Sequence, residues 1–427
     1  MKISPCVFLT LLPCLMTLAT ADPEGFNYDE AKVPRFTLPD PLVSNEGAPV
    51  SSTSQWQRNR RGEILRHFEE AVYGKRPGKP EALEFAITSL DENALGGKAR
   101  RKQISVLFEG GGRPFAVHVL IYLPKDASKP APLFIGYNFN GNHSVNADPG
   151  IHLSKSWMRK NENGNQSHRA TDASRGTASS RWPVETILAR GYGLATAYYG
   201  DIEPDHANGW KDGIRSYYKT DDNGQPLALE DWSAISAWSW ALSRIVDYLE
   251  TDSDIDAKRI ALFGHSRLGK TSLWAGASDE RFAITISNDS GCGGAALSRR
   301  AFGETVARIN TNFPHWFNQS FKQYSGNENA LPIDQHELIA LMAPRPVYVA
   351  SAVDDEWADP NGEFLSAKAA GPVYGLFGKR GVGVDQQPPI NTPVGDFIGY
   401  HVRSGGHNVT DYDWEQYLNF ADRHFGR

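Results

Sequence analysis

Arg259-Ile-Ala-Leu-Phe-Gly-His-Ser-Arg-Leu-Gly-Lys270 is a short apolar run ending in glycine, then a serine, then the opening of a helix. The unbroken apolar stretch from Ile260 to Phe263 reads as a strand buried on both faces, and a helical pattern begins at Arg267. Such a turn lifts the Ser266 hydroxyl above the sheet edge. It also sets the free N–H groups and positive dipole end of the next helix beneath any oxyanion formed there, with the Arg267 backbone N–H as donor. The outline is that of a nucleophile elbow. It departs from Gly-x-Ser-x-Gly, because Leu268 holds the last position and glycine comes one residue later. A serine that only caps a helix after a strand is the competing reading.

Working outward, a helix is expected over 54–73, then β-like runs at 103–108, 116–122, 132–137 and 194–199. From there strand and helix alternate: helix 234–249 with Trp238 and Trp240, strand 259–263, helix 267–277, strands 282–287, 347–352 and 398–402, and a last helix over 414–425. That rhythm predicts an α/β fold with a mostly parallel central sheet covered on both faces, a three-layer sandwich, and the elbow outline makes it of the α/β-hydrolase kind, one catalytic domain over 22–427. Residues 22–50 read as an extended surface arm. Two long insertions, 138–182 and 311–334, exceed ordinary connections. The second carries Phe313, His315, Trp316, Phe317 and Tyr324, too many aromatics for a solvated linker, and is expected to wall a cleft.

Ligands of open α/β sheets bind beyond the carboxyl ends of the strands, so the residues just after Phe263, Ser287, Ala352 and Val402 matter most. The base for a serine nucleophile is assigned to His407, in the loop Ser404-Gly-Gly-His-Asn408 between the last strand and the last helix. Among the other histidines, His118 lies in a strand, His67 and His424 lie on helix faces, and His265 directly precedes the serine. Two strand ends offer an acid to orient the imidazole, Asp289 and Asp355, and both satisfy the chain order Ser, Asp, His. Asp354, Glu356 and Asp359 read as loop charges or helix caps.

The chain has 427 residues, 40% hydrophobic and 22% charged, enough to bury a sizeable core and far from a disordered composition. Lys and Arg number 44 against 50 Asp and Glu, a net charge of −6, so no basic field exists for nucleic acid. Lys2, the apolar run 7–18 and Ala19-Thr-Ala21 read as a secretory signal cleaved after Ala21, which implies a secreted or periplasmic protein. The run is too short for a membrane span and is interrupted by Pro13. Cys6 and Cys14 would leave with the signal, so Cys292 has no disulfide partner. The sequons at Asn288 and Asn408 adjoin the candidate site and are read as unglycosylated.

Gly264-His-Ser-Arg-Leu-Gly-Lys270, Asn288-Asp-Ser-Gly-Cys-Gly-Gly294, Asp354-Asp-Glu-Trp-Ala-Asp-Pro360 and Gly405-Gly-His407 together resemble the glucuronoyl esterases, in particular their bacterial branch. The resemblance covers essentially the whole mature chain. It implies a carboxylic ester hydrolase without metal or cofactor, cleaving the ester between 4-O-methyl-glucuronic acid on glucuronoxylan and lignin alcohols. It further implies Ser266 as nucleophile, His407 as base and the Arg267 side chain as a supplement to the oxyanion hole. Lys270, Glu304 and Trp357 match residues that contact the uronate. Asn312 stands where the family's sugar-contacting Gln is expected, and Asp289 where the family often has Glu, one methylene longer. Both acids are therefore named, Asp355 ahead of Asp289. Rival readings are an acetyl-xylan-type esterase, which needs no cation for a uronate, and a non-catalytic carbohydrate-binding protein of the same fold.

Overall fold

The structure is a computed structural model that describes residues 26–80, 82–108, 115–126, 130–159, 162–218 and 232–427. The expected signal segment, with Cys6 and Cys14, lies outside the described residues. The strands are β1 (Phe26–Asn27), β2 (Leu83–Asn93), β3 (Ala99–Phe108), β4 (Phe115–Pro124), β5 (Ala131–Asn138) and β6 (Gly193–Tyr198). They continue with β7 (Ile255–His265), β8 (Ile284–Asn288), β9 (Gly303–Glu304), β10 (Val347–Ala352), β11 (Val394–Gly395) and β12 (Ile398–Arg403). All but β1 and β9 form one sheet in the order β11-β12-β10-β8-β7-β5-β6-β4-β3-β2. Neighbours from β12 to β6 run parallel. Beyond β6, strands β4, β3 and β2 pair antiparallel, as does β11 at the other edge.

Both faces of the parallel strands are buried, and their alternation sorts side chains into two cores. Ile260 and Leu262 of β7 join the core under helices Ala234–Leu249 and Arg267–Ser278, with Trp238, Trp240 and Trp274. Ala261 and Phe263 join the opposite core under helices Val184–Ala189 and Asp411–Phe425, with Trp414 and Tyr417. Val347 and Val349 against Tyr348 and Ala350 divide β10 in the same way. Each large side chain so enclosed contributes about 1.5–3 kcal/mol. The result is a three-layer α/β domain whose central strands cannot slip register without exchanging cores.

The expected helix over 54–73 is present, and one strand was not expected. The helix over 54–73 is not uniform: π-helical turns occupy Trp56–Arg60 and Glu69–Tyr73 around an α-helical Arg61–Phe68. The wider turns rotate the buried face, so that Trp56, Ile64, Phe68 and Tyr73 are all enclosed. Strand β2 was not legible, because a register shift between Ile87 and Ser89 breaks the alternation and leaves Ile87 and Leu90 exposed on an edge strand. The arm does lie on the surface, but it is fastened there. Its β1 pairs antiparallel with β9, Phe26 packs 4.6 Å from the Trp357 ring, and Glu30 bridges Arg300 at 2.6 Å.

Candidate active site

Ser266, Asp289, Asp355 and His407 follow β7, β8, β10 and β12, four strands adjacent in the sheet. At Ser266 the backbone turns sharply, with φ 58° and ψ −130°, a region that L residues occupy only under constraint. The Ser266 N–H donates to Asn288 O at 2.9 Å, and Ser266 O accepts from Gly269 N at 2.8 Å, which holds the turn. A Cβ at Gly264 would lie 2.0 Å from Leu268 O, and one at Gly269 would lie 2.9 Å from Ser290 Cβ. The second glycine is thus needed at 269, where the helix presses on the loop after β8, and Leu268 is free to enter the core. The Ser266 side chain makes no capping bond to its helix, and its Oγ has no hydrogen-bond partner among the described residues. The helix-capping reading therefore has no contact to rest on.

The His407 loop is anchored from below. Arg403, the last residue of β12, donates from Nη1 to Ser404 O at 3.0 Å and from Nη2 to Asn408 O, while its Nε donates to Asp413 Oδ2 at 2.7 Å. His407 Nδ1 lies 2.6 Å from Asp355 Oδ2. One oxygen each of Asp289 and Asp355 and a ring nitrogen of His407 fall within 4.8 Å of one another. Asp289 nevertheless pairs with Arg403, at 3.2 Å, and its Oδ1 has no hydrogen-bond partner among the described residues. Strand order gives the reason: β10 neighbours β12, and β8 is one strand further away. Burial, with Glu363 and Asp355 nearby, holds the Asp289 carboxyl well above the usual carboxylate range. His265 packs its ring 4.5 Å from that of His407, its Nδ1 lies 2.5 Å from Asn288 Oδ1, and burial keeps it neutral. Asn288 is fully buried, so its sequon is closed to a glycan.

Arg267 projects into the cleft, yet it is firmly held. Its Nη1 donates to Asp205 Oδ2 at 3.0 Å, and its guanidinium lies 4.9 Å above the Trp316 ring. Asp205 also receives Tyr199 Oη at 2.9 Å, Arg159 Nη1 at 3.1 Å, His315 Nε2 at 2.9 Å and Trp316 Nε1 at 2.7 Å. These partners, Arg267 foremost, outweigh burial and hold its carboxyl far below the ordinary value. Buried Lys270 donates from Nζ to Ser290 O, and desolvation lowers its pKa. Glu304 is also buried. Desolvation raises its pKa to about 7 against the pull of Lys270, the Trp357 side chain and Arg267, and its Oε1 has no hydrogen-bond partner among the described residues.

The cleft has two chambers that share Ser266, Arg267 and His407. One, about 340 Å³, is lined by Lys270, Glu304, Asp355, Trp357, Phe313 and Trp316, so the aromatic insertion does wall the site. The other, about 380 Å³, is lined by Phe139, Arg159, Thr177, Ser180 and Arg181 from the first insertion. Asn312 is exposed at the end of helix Val306–Asn312 and lines neither chamber. Sequence reasoning missed Asp205, Tyr199, Arg403 and Arg181, because none lies in a motif. It also missed Glu363, which accepts from Ser290 N and Gly291 N at 2.9 Å each and so shapes the loop after β8. Glu363 is fully buried, which no pattern in the sequence marked.

Residues 227–378 match the family model for glucuronyl esterase, fungi. The chain is 51% identical over 426 residues to carbohydrate esterase MZ0003 from an unknown prokaryotic organism, covering 98% of both proteins. It is 38% identical over 371 residues to 4-O-methyl-glucuronoyl methylesterase 1 of Wolfiporia cocos, covering 83% of this chain and 74% of that one. Superposition on the glucuronoyl esterase from Solibacter usitatus gives a TM-score of 0.87 at 50% identity, over 93% of this chain and 100% of that chain. With that likeness running nearly end to end, this chain belongs to the glucuronoyl esterase family and is a carboxylic ester hydrolase.

Proposed function

We propose that the protein is a secreted serine esterase that hydrolyses the ester between 4-O-methyl-D-glucuronic acid of glucuronoxylan and lignin alcohols. The observation that carries this reading is the chamber in which two cations, the partly buried Arg267 and the buried Lys270, flank Ser266 beside the His407 and Asp355 pair. An acyl group bearing its own charge or many hydroxyls would be matched there. An acetyl group would leave Lys270 and the orphaned Glu304 Oε1 without a role. The name of the Wolfiporia cocos relative points to the same acyl group.

In the mechanism, Ser266 Oγ attacks the uronate carbonyl carbon while His407 Nε2 accepts the hydroxyl proton, with Asp355 fixing the tautomer through Nδ1. The carbonyl π pair moves to oxygen, and that oxyanion is held by the Arg267 backbone N–H, which has no intrahelical partner at the first helical position, together with the guanidinium. Collapse breaks the ester C–O bond, and the proton on His407 passes to the departing alcohol. Water, deprotonated by His407, then cleaves the acyl-enzyme and releases the free uronate and Ser266. Lys270, Glu304 and Trp357 bind the sugar ring, the last offering an apolar face.

The test is the rate of benzyl or methyl glucuronate hydrolysis beside that of an acetylated xylose. Preference for the glucuronate, lost by about a hundredfold or more in Arg267→Ala, supports the reading. Faster deacetylation replaces it with the acetyl-xylan-type reading. Absence of alcohol release, with no phosphonate labelling at Ser266, leaves only carbohydrate binding.

A further inference from the structure

We propose that the chamber containing Arg181 is a subsite for the alcohol half of the ester, and that Arg181 selects alcohols carrying an acidic group. This inference rests on the assignment of the uronate to the Lys270 and Glu304 chamber. Since the two chambers meet at Ser266, Arg267 and His407, an ester with its acyl half in one has room for its alcohol half in the other.

The wall of the second chamber is cationic, with Arg159, Arg181 and Arg267 against Glu162. Arg159 and Arg267 are committed to Asp205, at 3.1 and 3.0 Å. Arg181 is placed differently. Its Nε donates to Asn408 Oδ1 at 2.8 Å, beside His407, and its backbone O accepts from Trp414 Nε1 at 2.9 Å. Among the described residues its guanidinium forms no ion pair, and its terminal nitrogens have no protein acceptor. An arginine remains charged at any working pH, so a pinned fork with free donors, next to the catalytic base, presents the geometry that receives a carboxylate or phenolate. Ser180 and Thr177 add polar lining, and the partly buried Phe139 ring offers an apolar surface. The alcohol that fits is an aryl alcohol bearing an acidic substituent.

The experiment compares glucuronate esters of 3- and 4-carboxybenzyl alcohol with those of the matching carbamoylbenzyl alcohols, which have the same shape without the charge. For the wild type, kcat/KM is expected to favour one carboxylate ester by roughly tenfold, with the preference shrinking as salt is raised. In Arg181→Gln that ratio should fall to about one, whatever the absolute rates, and in Arg181→Lys it should be partly retained. Using the ratio cancels any general damage to the fold. Equal rates on charged and neutral esters by the wild type, or a preference that survives in Arg181→Gln, overturn the proposal. Failure to hydrolyse any of these glucuronates would instead overturn the acyl-group assignment.

Discussion

Asp205 Oδ2 accepts Arg267 Nη1 at 3.0 Å, so the cation facing Ser266 is oriented by an acid that no motif contains. Five side chains converge on that carboxylate, and it is almost wholly buried. Its role is electrostatic and positional at once: it fixes the guanidinium and offsets the charge that would otherwise repel Arg159.

Asp205→Asn should therefore lower turnover toward that of Arg267→Ala, and should destabilise the fold by about 3–5 kcal/mol, as loss of a buried partner does. Because the folded-state pKa of Asp205 is depressed, its stabilisation is complete above the unfolded carboxylate value of about 3.9 and is lost as pH falls through the folded value. Urea midpoints should show a constant gap between wild type and variant from about pH 5 to 8, narrowing only in strong acid. A gap that varies across neutral pH would contradict this.

The two strand-end acids should separate cleanly. Asp355→Asn removes the partner of His407 Nδ1, and a loss of roughly 10³–10⁴ in kcat is expected. Asp289→Asn replaces a carboxyl already held toward its neutral form by burial, so kcat should change by less than about tenfold. Steady-state rates on one glucuronate ester decide it, and a larger loss at Asp289 would reverse the assignment.

Glu304, raised to about pKa 7, takes up a proton on folding between the ordinary carboxyl value of about 4.3 and neutrality. The contribution of Glu304 to stability falls as pH rises through that window, by up to about 1.4 kcal/mol per pH unit. Glu304→Gln should remove its share, leaving the slope due to the other groups that burial shifts, among them Asp289, Glu337 and Glu363, the last raised to about 7. Unfolding midpoints at pH 4.5, 6 and 7.5 measure the difference, and an unchanged slope would refute the coupling.

Gly264→Ala puts a Cβ 2.0 Å from Leu268 O, a backbone atom that cannot swing away. The variant should lose about 1–3 kcal/mol or more and misplace Ser266, read as lower Tm with loss of phosphonate labelling. Gly406→Ala meets nothing within 4 Å, lies one residue from His407 and should keep its Tm.

The sequence made the central strands legible, because residues such as Ile260 and Leu262 had to be apolar on both faces, and it made each strand-end residue legible through its motif. What it could not convey was lateral order. That β10 rather than β8 adjoins β12 decides which acid meets His407, and a linear pattern does not encode it. The Asp205 cluster was hidden for a related reason, since its partners Arg159, Tyr199, Arg267, His315 and Trp316 come from four separate segments. The Phe313 and Trp316 wall was legible because its aromatics were too many for solvent.

The arm that pairs through Phe26 and Asn27 with Gly303 and Glu304 has a practical corollary for handling the enzyme. A fusion partner or affinity tag joined ahead of Phe26 would emerge beside Trp357, which lines the chamber of Lys270 and Glu304. The other terminus is remote from that chamber: Arg427 donates from Nη1 to Gly191 O at 2.8 Å and borders a recess with Ala131, where β5 begins. Immobilisation on a resin through Arg427 would leave the mouth pointing outward.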